Sequence, residues 1–491
     1  MWQSQGPSES EQSKFLGLLH KALGVYYATW KCESSITYEA IQSSNGTKNS
    51  MSDYPDHEAG RKECNNELIE TSDPYLHHRS PIFTKDTSFW WEVTGAVLRT
   101  LLSRANYSMQ RKNQALSFHR QIVHSLGPRP TSEGRPKTWS SFMTDDFSPL
   151  EFSWHWGDTK NVTDPTIRMS IEAIGAHAGT TVDPWNRTAS LELLNQLCSE
   201  LPGIDLQYFR RYLDVITSAD NDDFSANCSE RQEHRSSIFL AFEFVNQRPL
   251  VKAYLLPLVK AVQTSRTVSA IVCEALRNQA QDLMEVPSLY KLLDFLETTG
   301  RAYKLQPIIF AFDCVAINKS RIKVYARTPL TSYTSVRAIM GMFDVEQNIK
   351  NGLEELQQLW QLALSTKSDF DPKEPLPHKE HSTAGMLYYF EVRPGSHTIM
   401  PKVYIPVKHY GQNDEAIARG LKTFIVRRNR SQAKTAESYL QALREICTYR
   451  SLSSETGLQT YISCGLRNGS LDITSYLSPE IYHKGRSSAR S

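Results

Sequence analysis

The chain has 491 residues, 40% of them hydrophobic and 22% charged, the proportions of a soluble globular protein long enough for several domains or one large barrel. Its formal net charge is only +2, so no global basic field exists for nucleic acid or a membrane surface, and any anion site must be local. No run approaches the ~20 apolar residues of a membrane span, the N-terminus lacks the basic and apolar regions of a signal peptide, and the eight cysteines include no CxxC pair; the sequence reads as cytoplasmic, with buried reduced thiols.

Residues 1–12 are polar. Residues 13–29 carry apolar residues at helical spacing (Phe15, Leu18, Leu19, Ala22, Leu23, Tyr26), and 31–80 are rich in Ser, Asn, Glu and His. Residues 1–80 are therefore set apart as a variable N-terminal segment with one helix, preceding or packed on a single domain over 81–485. Helices are expected at 87–104 and 110–126, the second stopped by Gly127-Pro128. A repeating order follows. Strand pairs are expected at 150–156 with 167–174, 238–245 with 250–256, 308–315 with 321–327, 386–392 with 402–407, and 461–466 with 471–477. Helices fall between them at 191–199, 206–217, 268–281, 288–298, 332–342, 345–366, 415–427 and 433–449, and 367–382 form a Pro-rich loop.

Ten strands in five hairpins, alternating with helix pairs at about 70–80 residues, read as an α+β fold of repeated ααββ units. Consecutive hairpins imply an antiparallel sheet, and repetition implies its closure into a barrel ringed by helices. The two-residue period of a strand then sorts the side chains. Ile322 and Val324, Val251 and Ala253, Val403 and Ile405, and Ile167 and Met169 face a helix layer. Glu151, Arg168, Lys252 with Tyr254, Arg321 with Lys323 and Tyr325, Lys402 with Tyr404, Tyr461, and Tyr476 face the lumen. Arg or Lys followed two residues later by Tyr recurs three times. This favours a ligand chamber over the competing two-layer α+β arrangement with solvated polar faces.

Seven ordered segments carry a resemblance: Met143-Thr-Asp-Asp-Phe-Ser-Pro-Leu-Glu151-Phe-Ser, Ile167-Arg-Met-Ser-Ile-Glu-Ala-Ile-Gly, Val251-Lys-Ala-Tyr, Phe312-Asp-Cys with Ser320-Arg-Ile-Lys-Val-Tyr, Pro401-Lys-Val-Tyr-Ile-Pro-Val, Thr460-Tyr-Ile-Ser and Ser475-Tyr-Leu-Ser-Pro. Spanning residues 85–485, they resemble the fungal aromatic (indole) prenyltransferases of the dimethylallyltryptophan synthase family. The resemblance implies a ten-stranded antiparallel prenyltransferase barrel in secondary metabolite biosynthesis. It would transfer dimethylallyl from dimethylallyl diphosphate to an indole-containing or phenolic acceptor.

By that resemblance Arg168, Lys252, Arg321, Lys323 and Lys402 cradle the diphosphate, Arg by bidentate grip and Lys as point charges. The hydroxyls of Tyr254, Tyr325, Tyr404 and Tyr476 add donors. The rings of Tyr254, Tyr325, Tyr404, Tyr461 and Tyr476 shield an allylic cation, with a cation–π contact worth roughly 0.5–2 kcal/mol. Glu151 matches the carboxylate that accepts the indole N–H and raises ring nucleophilicity. Phe142, Met143 and Phe239 are expected in the acceptor pocket. Phe239 is a departure: tryptophan-prenylating members have there a Lys proposed to take the arenium proton. Phe accepts no proton, which favours a larger or phenolic acceptor, with another group or water as base.

Neither Asp145-Asp146 nor Asp222-Asp223 completes a DDxxD cluster, so no metal and no cofactor beyond the co-substrate is expected. His378-Lys-Glu-His381 has ligand-like spacing, but in the Pro-rich loop it reads as solvated histidines. Trp90-Trp91 reads as packing under the barrel. The partners expected are small molecules, with neither nucleic acid nor membrane. The rival readings are the same fold with a longer donor such as geranyl diphosphate, and a non-catalytic ligand-binding barrel.

Overall fold

The computed structural model describes residues 84–156, 164–217, 234–244, 249–282, 287–343, 349–367, 369–467 and 469–487. The helix expected at 13–29, with the rest of segment 1–80, and Asp222-Asp223 lie outside the described residues.

Ten strands form one closed antiparallel barrel: β1 (Leu150–His155), β2 (Thr166–Ile171), β3 (Ile238–Glu243), β4 (Leu250–Leu255), β5 (Gln306–Asp313), β6 (Ile322–Thr328), β7 (Met386–Val392), β8 (Met400–Ile405), β9 (Gln459–Arg467) and β10 (Ser470–Leu477). Each strand pairs with its neighbours in sequence, and β1 closes on β10 with Ser153 opposite Tyr476 and His155 opposite Thr474. Closure removes every sheet edge and rules out the two-layer alternative. The five hairpins are those the sequence periodicity predicts, with every end within three residues of the one expected. Arg321 sits one residue before β6 yet keeps its inward alternation. Register irregularities between Pro307 and Ile309 and between Ser475 and Leu477 bend β5 and β10 locally.

The outer faces are apolar for a mechanical reason: a helix layer covers them. Phe152, Trp154, Met169, Val324, Phe390 and Ile405 are completely buried there. Each such side chain contributes about 1.5–3 kcal/mol by leaving water. The helix Lys85–Arg104 starts at Thr84, whose hydroxyl accepts the Thr87 N–H, with Asp86 in its first turn against the helix dipole. Trp90 is fully buried and its indole N–H donates to the Gly127 carbonyl at 2.9 Å, which fixes this helix beneath the barrel where Trp90-Trp91 was expected. The helices Ile349–Leu364 and Asp414–Arg428 touch closely at Gly420, where a Cβ would lie 2.0 Å from the Leu362 carbonyl oxygen. A side chain there would separate the two helices.

Among the described cysteines, Cys198, Cys273, Cys314, Cys447 and Cys464 are free. No helix among the described residues is long and apolar enough to cross a membrane.

Candidate active site

The strand registers stack the inward side chains in three tiers along the barrel axis. At one end lie charges, in the middle tyrosines, and at the other end Glu151 and Phe239. The first two tiers line a cavity of about 690 Å³, within the range of small-molecule sites.

In the charged tier, the second strand of four successive hairpins supplies a cation: Arg168 on β2, Lys252 on β4, Arg321 and Lys323 at β6, Lys402 on β8. The first strand of the next hairpin supplies a carboxylate: Glu243 on β3, Asp313 on β5, Glu391 on β7. Asp472 on β10 completes the set. The ring therefore alternates in sign. Glu243 meets Arg168 at 2.8 Å and Lys252 at 2.6 Å. Asp313 meets Arg321 at 2.5 Å and Lys323 at 3.2 Å, and Glu391 meets Arg321 at 3.6 Å. Lys402 reaches Asp472 at 3.1 Å. Gly465 makes that last pair possible, because a Cβ on this lumen-facing residue would stand 2.9 Å from Lys402 Cε.

Burial opposes every charge here, and the partners decide the outcome. Arg168 and Lys252 hold Glu243 well below the usual carboxylate range against its burial. Lys323 and Arg321 do the same for Asp313, down to about 2. Burial lowers Lys402, but Asp472 beside it more than compensates and the ammonium is raised. Lys252 and Lys323 are the exceptions: burial lowers Lys323 despite Asp313, and burial, then the nearby Lys323 charge, pulls Lys252 down to about 7 despite Glu243. His155 reaches Asp472 at 3.4 Å and Thr474 at 3.1 Å, and burial and Arg168 keep its ring neutral down to about 3. Arg168 Nε is buried with no hydrogen-bond partner.

The tyrosine tier is a belt. Tyr325 and Tyr404 hydroxyls lie 3.4 Å apart and Tyr476 donates to Tyr404 at 3.3 Å. Ring centroids of Tyr325 lie 5.9 Å from Tyr254, 5.4 Å from Tyr389 and 5.8 Å from Tyr404, with Tyr404 to Tyr476 at 5.4 Å. Burial raises Tyr325 and Tyr404 well above 10, so these hydroxyls stay protonated donors. Tyr389 belongs to the belt although the sequence did not mark it.

Beyond the belt stands Glu151, outside the walls of the 690 Å³ cavity. The Thr460 hydroxyl donates to it at 2.6 Å. Burial pushes its carboxyl up to about 7, against the pull of Thr460 and of Lys408. It pairs with no cradle arginine. Phe239 faces the same end: its Cα partner is the lumen residue Tyr254, and its side chain is buried. Tyr461 packs by Tyr404 at 6.2 Å, with Lys408 Nζ 4.8 Å from its ring centroid and Arg327 Nη2 3.5 Å from its hydroxyl. The loop with Phe142 and Met143 is held at this end by Glu172, which accepts from Trp139, Ser141, Ser236 and Asn186. The Phe142 amide donates to Ser236, and its ring stacks on His234 with centroids 3.7 Å apart.

His381 is exposed, as a solvated loop histidine would be, but its ring is engaged: Nδ1 lies 2.9 Å from the Thr383 hydroxyl, and its centroid 4.9 Å from that of His409. His381, His409 and Asp145 offer ligand atoms within 4.8 Å of one another. Asp146 has a different task, accepting from Thr144, Ser148 and Ser478 and thereby fixing the loop before β1.

Comparison with known proteins gives a consistent result. The family model for tryptophan dimethylallyltransferase matches residues 86–442. The 4-O-dimethylallyl-L-tyrosine synthase of Claviceps purpurea is 35% identical over 80% of this chain and 87% of its own length. The 7-dimethylallyltryptophan synthase of Aspergillus fumigatus is 32% identical over 78% of this chain and 83% of its own. The crystal structure of AnaPT from Neosartorya fischeri superposes with a TM-score of 0.68 at 23% identity, covering 81% of this chain and 95% of that one, and so shares the fold.

Proposed function

We propose that this chain, which belongs to the tryptophan dimethylallyltransferase family, transfers dimethylallyl from dimethylallyl diphosphate to an electron-rich aromatic acceptor without a metal ion. The observation that carries the reading is the placement of Glu151 across the tyrosine belt from the ring of cations. Arg168, Lys252, Arg321, Lys323 and Lys402 take the diphosphate by exchanging their carboxylate partners for phosphate oxygens, and the unpartnered Arg168 Nε is one donor already waiting. Protonated Tyr254, Tyr325, Tyr404 and Tyr476 donate to the remaining oxygens. As the bond from allylic C1 to oxygen breaks, the diphosphate stays in the charged tier and the rings of the same tyrosines, with Tyr461, face the cation.

C1 then bonds to the acceptor, and the acceptor loses one proton. Glu151, with its pKa near neutrality, is the group placed to take it. Phe239 cannot, and its ring instead forms an apolar wall with Phe142 and Met143 at the acceptor's edge. A phenolic acceptor suits this arrangement, because a carboxylate held near pH 7 removes a phenol proton as the oxygen attacks. The tyrosine-alkylating relative from Claviceps purpurea points the same way. In this reading residues 81–485 form one barrel domain after a separate segment 1–80, and the enzyme works in the cytoplasm on small molecules alone.

The test is incubation of the full chain with dimethylallyl diphosphate and a panel of tyrosine, other phenols, tryptophan and cyclic dipeptides, read by mass with and without EDTA. Prenylated phenol undiminished by EDTA is the expected result. Turnover that EDTA abolishes and only Mg²⁺ restores, or efficient attack at tryptophan C4, overturns it. Parallel runs with geranyl diphosphate distinguish a longer donor, and no product with any pair leaves the barrel a binding protein.

A further inference from the structure

We propose that Asp145, His381 and His409, gathered around the Thr383 hydroxyl, form a binding site for a divalent metal ion of the zinc class. The site lies at the Glu151 end of the barrel, apart from the diphosphate tier, and goes beyond the prenyl-transfer reading. Its ligands come from three distant stretches: the loop before β1, the loop before β7, and the turn of helix Val407–Tyr410 after β8.

They converge on one point. Thr383 Oγ1 lies 2.9 Å from His381 Nδ1, 2.7 Å from His409 Nε2, and 3.1 and 3.2 Å from the two oxygens of Asp145. The carboxylate oxygens, and each imidazole nitrogen not bearing a proton, are electron-pair donors. The Thr383 hydroxyl proton serves one of them, while the Thr383 backbone N–H donates to His381 Nδ1 at 3.1 Å and Lys408 to Asp145 Oδ1 at 2.6 Å. A cation beside the hydroxyl would draw on Asp145 Oδ2 and both imidazoles at once. Two imidazoles and a carboxylate are the three protein ligands of a four-coordinate zinc-type ion whose fourth position is open to water, with the Thr383 hydroxyl beside it as a hydrogen-bonding neighbour.

The dimensions are close to what an ion requires. Ligand atoms around a tetrahedral ion at ~2.1 Å stand about 3.4 Å apart. Here the three lie within 4.8 Å of one another, so a closure of up to about 1.4 Å completes the site. His381 supplies it by rotating, since it is exposed and hydrogen-bonded only within its own loop. The Asp145 oxygens are already divided in their tasks. Oδ1 binds Lys408 at 2.6 Å, while Oδ2 faces His409 Nε2 at 3.6 Å. Lys408 thus orients the carboxylate as an outer-shell partner does, and its charge weakens the site without occupying the metal-facing oxygen. A bound ion ties together three segments that otherwise share hydrogen bonds, the Lys408–Asp145 ion pair and a ring contact, and so acts as a staple on the acceptor end.

The test uses untagged full-length protein stripped with EDTA and dialysed. Titration with Zn²⁺ by calorimetry should show one saturable site and raise the melting temperature. Co²⁺ should give visible d–d absorption that Zn²⁺ displaces. His381→Ala and His409→Ala should each weaken binding at least tenfold while melting as cooperatively as the parent, and His378→Ala should leave it unchanged. Absence of saturable Zn²⁺ binding overturns the proposal, as does binding unaffected by both variants. Equal loss in His378→Ala and His381→Ala also overturns it, because the ion then sits on the exposed loop. Prenyl transfer in EDTA is read separately, so failure of one inference leaves the other standing.

Discussion

The two ends of the lumen solve the problem of buried charge in opposite ways. At the diphosphate end each cation has a carboxylate within 2.5–3.2 Å, and a buried ion pair of good geometry offsets much of its desolvation. At the acceptor end Glu151 has a single hydroxyl donor and is left near neutrality. The paired end holds its carboxylates and Lys402 ionised for a polyanion, while Lys252, lowered to about 7, titrates near neutrality. The unpaired end holds one group that gains or loses a proton at working pH. Binding and proton transfer are thus divided between the two ends, with the tyrosine belt between them.

The largest effect should come from Glu151→Gln. Turnover should fall about 10²–10⁴-fold, while affinity for a non-hydrolysable donor analogue stays within twofold, because the cations are untouched. Stability should move the other way. A carboxyl whose folded pKa lies above its unfolded 4.5 stabilises below pH 4.5 and loses that contribution as pH rises to about 7. Urea melts should therefore show the Gln variant about 1–3 kcal/mol more stable at pH 8 and equal to the parent at pH 4. Equal stability at pH 8 would mean that Glu151 is ionised at no cost.

At the paired end the reverse combination is expected. Lys402→Met leaves Asp472 buried beside a neutral His155 and should cost about 3 kcal/mol as well as donor affinity. Adding Asp472→Asn should recover most of the stability in the same melts but none of the affinity by calorimetry. If the double variant recovers both, Lys402 does not touch the diphosphate.

The pH profile sharpens the contrast further. Acceptor turnover at saturating donor should rise about tenfold per unit up to pH 7 as Glu151 ionises, then level. Donor affinity should weaken above about 7, where Lys252 must take up a proton to bind. Calorimetry in buffers of different ionisation enthalpy reads that uptake, and Lys252→Arg should abolish it. The smallest effect falls on the belt. Tyr325→Phe keeps the ring and should cost under tenfold in kcat. Tyr325→Leu removes the cation contact and should cost about 2–30-fold.

Much of this division was legible from strand parity. Arg168, Lys252, Lys323, Lys402 and their tyrosines recur at matched positions, and the barrel follows from five hairpins in a row. Glu243, Asp313 and Glu391 obey the same parity but went unmarked, because an acidic residue in a strand reads by itself as solvated; only pairing across neighbouring strands shows its task. Tyr389 lies in Met-Leu-Tyr-Tyr-Phe-Glu-Val, apolar on both faces, where alternation gives no direction. Asp145 and Thr383 are 238 residues apart, and no periodicity links two loops. Thr460, the donor to Glu151, meets it only through closure of the barrel.

Closure also fixes when the enzyme can exist. His155 and Thr474, which hydrogen-bond across the β1–β10 seam, are 319 residues apart. Joining such ends in a free chain would cost about 5 kcal/mol of loop entropy. The order of strands avoids that cost, because each new hairpin extends an edge already present. During synthesis, however, β1 remains an unpaired edge until Leu477 has left the ribosome. The nascent chain therefore carries an open, sticky sheet from its first hairpin, complete at Ile171, to Leu477, and its lumen, belt and cation ring come into being together with the last strand.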